Sequence, residues 1–246
     1  MRRLPKNDPV KPPREPKRPS KIEIRMVKKS LLLIMVALVF LGTSSVQAYD
    51  FLIEEVINNP TVTCKKDFGV DVTIETWNKI LDNPYLMGQL WEIYKFQPSY
   101  KVTRIDSGLH IDDPTGIAGD IWQVGQSENT RTFHGVGKFD HWAVPSFFTA
   151  NGVFFFEYRI DHNKLLGEVK ISLRGNNSVS RLVMKIFSGV LINHVDNRFK
   201  NNLEDMKKII KDIVNDPDKV RKIMTGRLLD DFNEIFPAEG IKLTEG

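Results

Sequence analysis

Cysteine is almost absent. Cys64 is the single thiol in 246 residues, so no intrachain disulfide can form and the fold must rest on a hydrophobic core, which a chain of this length can supply. Metal-ligand spacing is also missing. The five histidines, His110, His134, His141, His162 and His194, make no H-x-x-x-H pair and have no Cys-x-x-Cys companion, so a zinc site is not supported. Asp112, Asp113 and Asp120 flank a turn without EF-hand spacing, which reads as turn chemistry rather than calcium binding. There is no G-x-S-x-G, no glycine-rich phosphate loop and no dinucleotide fingerprint, and Cys64 lacks the context of a nucleophile. These gaps leave no catalytic residue, metal or cofactor to assign. No internal repeat is present.

Acidic charge is scarce only at the start of the chain. The formal net charge is +4 and the isoelectric point about 9.0, which at first suggests a nucleic-acid partner. Residues 1–48, however, hold 11 of the 35 basic and 3 of the 31 acidic residues, leaving 24 and 28 in 49–246, a net of −4. The body of the protein is mildly acidic and has no clear basic patch, so counterion-release binding to nucleic acid is not expected. With 41% hydrophobic and 27% charged residues, the composition is that of a folded protein.

The N-terminal region reads as a leader. Lys28 and Lys29 precede a stretch without charge from Ser30 to Tyr49, continuously apolar from Leu31 to Leu41 and ending in Ser44-Ser45-Val46-Gln47-Ala48. A positive n-region, a short h-region and small residues at Val46 and Ala48 predict a signal peptide over 26–48, cleaved after Ala48, and a periplasmic or secreted mature chain starting at Tyr49. The alternative is an N-terminal membrane anchor, for which the uncharged stretch as a whole is barely long enough. A lipoprotein is disfavoured because Cys64 lies too far downstream. Residues 1–25 carry six prolines and nine Lys/Arg and cannot pack a core, and Met26 stands where a signal peptide would naturally begin. They read as a misassigned start or as a basic tail of the anchored form.

The mature chain divides into an N-terminal helix or linker over 49–62, a domain over 63–215 and a helical tail over 216–246. Cys64 to Val72 has room for a first strand. Ile74, Trp77, Ile80 and Leu81, then Leu86, Met87, Leu90, Trp91 and Tyr94, recur at helical spacing on either side of Asn83-Pro84, predicting two consecutive short helices. From Tyr100 to Arg174 the pattern changes to short strands separated by turn residues. In Phe154, Phe156, Tyr158 and Ile160, and in Val169, Ile171 and Leu173, every second residue is apolar, which predicts an antiparallel sheet covered on one face. The cover is a helix capped by Ser178 and running to about Asn215, with the stripe Val183, Phe187, Val190, Leu191, Val195, Phe199, Leu203, Met206, Ile210 and Ile213. Such a helix would be roughly 50 Å long, so it is expected to project or to kink near Gly189.

Helix pair, strand meander and one long C-terminal helix, in that order, make a helix-grip architecture. The chain resembles the START/polyketide-cyclase-like superfamily (SRPBCC) over roughly 63–214. The likeness rests on element order, on Trp77-Asn78-Lys79-Ile80-Leu81-Asp82-Asn83-Pro84-Tyr85 at the helix-to-helix junction, and on Arg181-Leu182-Val183-Met184 running to Leu203. It implies an α+β fold with a curved antiparallel sheet wrapped around the long helix. It also implies an apolar cavity between them for a lipid, polyketide or other hydrophobic small molecule. The family has no universal catalytic residues, so none is carried over.

Aromatics are densest from His134 to Tyr158. The expected ligand-binding set is Trp122, His134, His141, Trp142, Phe147, Phe148, Phe154, Phe156 and Tyr158 from the strand region, with Phe187, Leu191, His194 and Arg198 from the long helix. Trp142, Phe147 and Phe148 sit around Pro145, which argues against a central strand, so this segment is expected to expose apolar side chains as a cavity gate or peripheral membrane contact. Arg198 would meet a carboxylate or phosphate head group, or else pair with an acidic residue on the sheet. The leading expectation is an exported binding protein. A cyclase- or hydratase-type enzyme using His134 or His141 with a carboxylate, and an envelope interaction protein, are the alternatives. Oligomeric state is left open.

Overall fold

The computed structural model describes residues 51–237 apart from 115, 140–147 and 163. The leader and its cleavage site, residues 1–25, His141, Trp142 and Phe147 therefore lie outside the described residues.

Seven strands form one antiparallel sheet: β1 (Val62–Val70), β2 (Lys101–Ile105), β3 (Gly108–Asp113), β4 (Ile117–Gln126), β5 (Thr130–Phe139), β6 (Thr149–Asp161) and β7 (Lys164–Gly175), in the spatial order β1-β7-β6-β5-β4-β3-β2. β2 to β7 follow one another in the sheet, and β1, set apart in sequence by a helix pair, closes the far edge beside β7. Register decides which side chains share a face. Gln123, Phe133, Phe154, Ile171 and Cys64 stand in one row across the sheet, while Trp122, His134, Val153, Ser172 and Thr63 stand in the next, on the opposite face.

The helices are α1 (51–58), α2 (Ile74–Leu81), α3 (Pro84–Ile93), α4 (Ser178–Ile186), α5 (Ser188–Asn215), α6 (Pro217–Lys222) and α7 (Arg227–Ile235). Thr73 caps α2 by accepting from the Thr76 amide, and Pro84 occupies the first turn of α3, where its missing N–H costs nothing. Gly88 lets α3 lie directly on β2: a Cβ there would stand 2.5 Å from Val102 Cγ2.

The main core fills the space between the Phe154 face and the helices. Phe68, Leu165 and Tyr158 of the sheet meet Trp77, Ile80, Leu86 and Leu90 of α2 and α3 and Ile209, Ile210 and Ile213 of α5. The C-terminal tail belongs to this core, since Val220 of α6, Phe232 of α7 and Phe236 are buried in it. A smaller cluster of Val62, Phe148 and Met184, with Leu173, Val183 and Leu191 against it, forms under α4.

The long helix is not continuous. Asn177, rather than Ser178, caps α4, accepting from the Ser180 amide at 2.7 Å. The helix breaks at Phe187 (φ −97°, ψ 13°), just before Gly189, and α5 alone spans 28 residues, about 42 Å. Nor is the apolar stripe uniformly buried: its C-terminal end is core, whereas Val190 is 65% exposed. Between the two clusters α5 meets the sheet through polar pairs, with Asp196 2.6 Å from Lys66 and Arg198 3.4 Å from Asp113. Tyr100 donates to Asn202 at 2.9 Å in the same stretch. The whole is an α+β fold with a seven-stranded antiparallel sheet and a long helix on one face, consistent with a helix-grip arrangement.

Candidate functional site: a cavity beneath the C-terminal helices

A cavity of about 850 Å³ opens on the Phe154 face of the sheet. Its floor is strand surface: Ile111, Ile121, Phe133, Phe154 and Phe156. One wall is the α2–α3 junction from Ile80 to Met87, and another is the β2–β3 hairpin from Arg104 to Leu109. Met206 of α5 and Asp231, Glu234 and Ile235 of α7 complete it. The volume suits a drug-sized or lipid ligand, and an apolar floor with a few polar groups is the usual composition of such sites.

The polar groups cluster at two places. Arg104 lies with its guanidinium 4.2 Å above the Tyr85 ring and reaches the Asp231 carboxylate at 2.8 Å, so it joins β2 to both α3 and α7. On the other side, Asp82 at the end of α2 takes two hydrogen bonds from Arg131 on β5, at 2.5 and 2.9 Å, and one from Gln123 at 3.2 Å. Arg131 also donates to the carbonyls of Ser127 and Thr130. Partial burial pushes the Asp82 carboxyl up, but the hydrogen bonds from Arg131 and Gln123 and the Arg131 charge outweigh it and hold the group below the ordinary carboxylate range. A second, more polar recess of about 500 Å³ shares Tyr85, Val102 and Arg104 with the cavity.

The residues expected from sequence are divided by this geometry. Phe154 and Phe156 line the cavity. Tyr158 is in the main core, where its hydroxyl donates to Asn78 Oδ1, and burial, opposed by Arg131, raises its pKa and keeps it a donor. Trp122 and His134 stand on the opposite face, so they do not reach the cavity; their rings stack at 6.1 Å and His134 Nε2 is 3.2 Å from Asn151 Oδ1. Burial lowers the His134 pKa, and the Asn151 hydrogen bond opposes this. Phe187 is at the helix break and 38% exposed. Phe148 and Leu191 belong to the small cluster under α4; Phe148 is buried there rather than exposed at the mouth. His194 and Arg198 project from the middle of α5, and Arg198 faces Asp113. No histidine is among the described residues of the cavity lining.

Arg104 and Asp231 are not in the set expected from sequence, while Met206 is there only as part of the helix stripe and Tyr85 only as the end of the junction stretch. Arg104 and Asp231 are 127 positions apart, and no local pattern announces their pairing. Asp82 was within the quoted junction stretch, and its position one turn past Asn78, both reaching the sheet, is the one signal that was available.

No family model matches this chain, and no curated protein matches it. Solved structures do resemble it in chain path. A conserved protein from Geobacillus kaustophilus is 14% identical, with a TM-score of 0.43, over 60% of this chain and 96% of its own. A protein from Arthrobacter aurescens is 10% identical, with a TM-score of 0.43, over 62% and 87%. Ara h 8.0201 is 9% identical, with a TM-score of 0.34, over 52% and 91%. None of them lends a residue role to this chain.

Proposed function

We propose that this protein is a non-enzymatic binding protein of the START/polyketide-cyclase-like superfamily. It is exported across a membrane by the leader ending at Ala48, and it holds a lipid or other hydrophobic small molecule. The observation that carries the reading is the cavity itself: about 850 Å³, floored by Ile111, Phe133, Phe154 and Phe156, with Asp82, Arg104, Asp106, Asp231 and Glu234 as its charged lining. The enzymatic alternative needs His134 or His141 beside the ligand; His134 stands on the face opposite the cavity, and His141 lies outside the described residues.

Native mass spectrometry of protein purified from its own envelope should show a retained apolar ligand. Protein stripped of it should take up a fluorescent fatty acid, and Met206→Trp, which fills the space from the α5 side, should weaken uptake at least about tenfold while the fold is kept. No retained ligand, together with equal probe binding by Met206→Trp and the parent, overturns the reading. Sequencing the mature N-terminus tests export separately, with Tyr49 expected as the first residue.

A further inference from the structure

We propose that the outer face of α4 and the first turn of α5 docks on an anionic phospholipid surface, with Val179, Leu182, Ile186 and Val190 entering the headgroup boundary and Lys185 beside them meeting lipid phosphates. This surface is independent of the cavity, and the proposal stands or falls apart from the ligand-binding reading.

Val179, Leu182 and Ile186 follow one another at steps of three and four and share one face of α4, and Val190 stands in the first turn of α5 just past the break. They are 52%, 59%, 67% and 65% exposed. Rotation of the helix cannot hide them, because the other face is already committed: Ser180 and Met184 are 0% and 2% exposed, and Met184 packs on Val62 and Phe148. A contiguous exposed apolar stripe of this kind marks a contact surface.

Charge identifies the contact. No Asp or Glu occurs between Glu168 and Asp196, although 49–246 as a whole carries 28 acidic against 24 basic residues. Of the two bases on this helix, Lys185 is exposed on the flank of the stripe next to Leu182, and Arg181 is half-buried, its guanidinium donating to the Gly175 carbonyl and Ser178 Oγ. An anionic bilayer would repel most of this protein's surface but not this face, and an apolar stripe flanked by bases is the pattern of a helix lying in the interface plane. A second copy of the chain fits less well, since a two-fold contact through this face puts the same bases on both sides with no acidic residue between Glu168 and Asp196 to pair them.

The test uses the full chain and vesicles of phosphatidylglycerol and phosphatidylcholine in equal parts, against phosphatidylcholine alone. A tryptophan placed by Ile186→Trp should shift its emission to the blue on the anionic vesicles and be quenched by brominated acyl chains. Leu182→Gln combined with Lys185→Glu should weaken binding to the anionic vesicles at least about tenfold with an unchanged circular dichroism spectrum. If the chain sediments with vesicles but the added tryptophan is not quenched, the apolar leader is the sole contact and the proposal fails. It also fails if the same emission shift develops without lipid as protein concentration rises, which would assign the stripe to a second copy.

Discussion

Replacing Asp82 by asparagine should destabilise the protein by about 1.5–3 kcal/mol, because it uncouples the α2–α3 junction from β5 and leaves a buried guanidinium without its counterion. The magnitude follows from the unequal exposure of the two partners. The Arg131 side chain is 5% exposed, that of Asp82 36%. Breaking a fully buried pair costs about 3–5 kcal/mol, but here water reaches the carboxylate side and takes up part of the loss. Arg131 also keeps the carbonyls of Ser127 and Thr130 after the substitution, which limits the penalty further.

Urea unfolding at neutral pH is the assay, and the midpoint should fall by about 1 M with an unchanged m-value. A cycle with Arg131→Met should return a coupling of at least about 1 kcal/mol. The pH dependence has a definite sign. Because the folded-state pKa of Asp82 lies below its unfolded value, the contribution is fully present above the ordinary carboxylate pKa of about 3.9 and is lost as pH falls through the folded value. The gap between parent and Asp82→Asn should therefore narrow only in that acid range. A loss under about 0.5 kcal/mol, or a gap that narrows already near neutrality, would refute the assignment.

His134 predicts a second, separate pH window: burial lowers its folded pKa, so the unfolded chain binds the proton first and stability should decline as pH drops below about 6.5, whereas His134→Gln should flatten that part of the profile; parallel profiles for the two proteins would contradict it. The Arg104–Asp231 pair is half-exposed, so Asp231→Asn should change stability by less than about 1 kcal/mol, yet it should release a fatty-acid probe from the cavity about threefold faster and remove the salt dependence of release; equal release rates would show that α7 does not close the site.

What the sequence made legible was local. Alternation placed Phe154, Phe156 and Tyr158 on one face of β6, and helical spacing on both sides of Pro84 separated α2 from α3. Sharing a face across strands is not local. It depends on hairpin register, in which one residue reverses every side chain. Trp122 was expected to share the cavity with Phe154, but Trp122 pairs with His134 and His134 with Val153, one position out of step. The long helix misled for a related reason: its stripe fits one continuous partner, whereas the sheet presents two apolar clusters with the polar pairs of Asp196 and Arg198 between them. The helix has to satisfy both clusters, and it breaks at Phe187 within the stretch that follows the small cluster, with Met184 before the break and Leu191 and Ile192 beyond it. Apolar residues on both sides of the break that neither cluster takes up are left on the surface, Ile186 before it and Val190 beyond it. At the other end α5 gives Met206 to the cavity lining while Ile209, Ile210 and Ile213 are buried in the main core, and α7 adds Asp231, Glu234 and Ile235 to the lining. The exposed stripe thus arises where α4 and the first turn of α5 carry more apolar surface than the small cluster can cover.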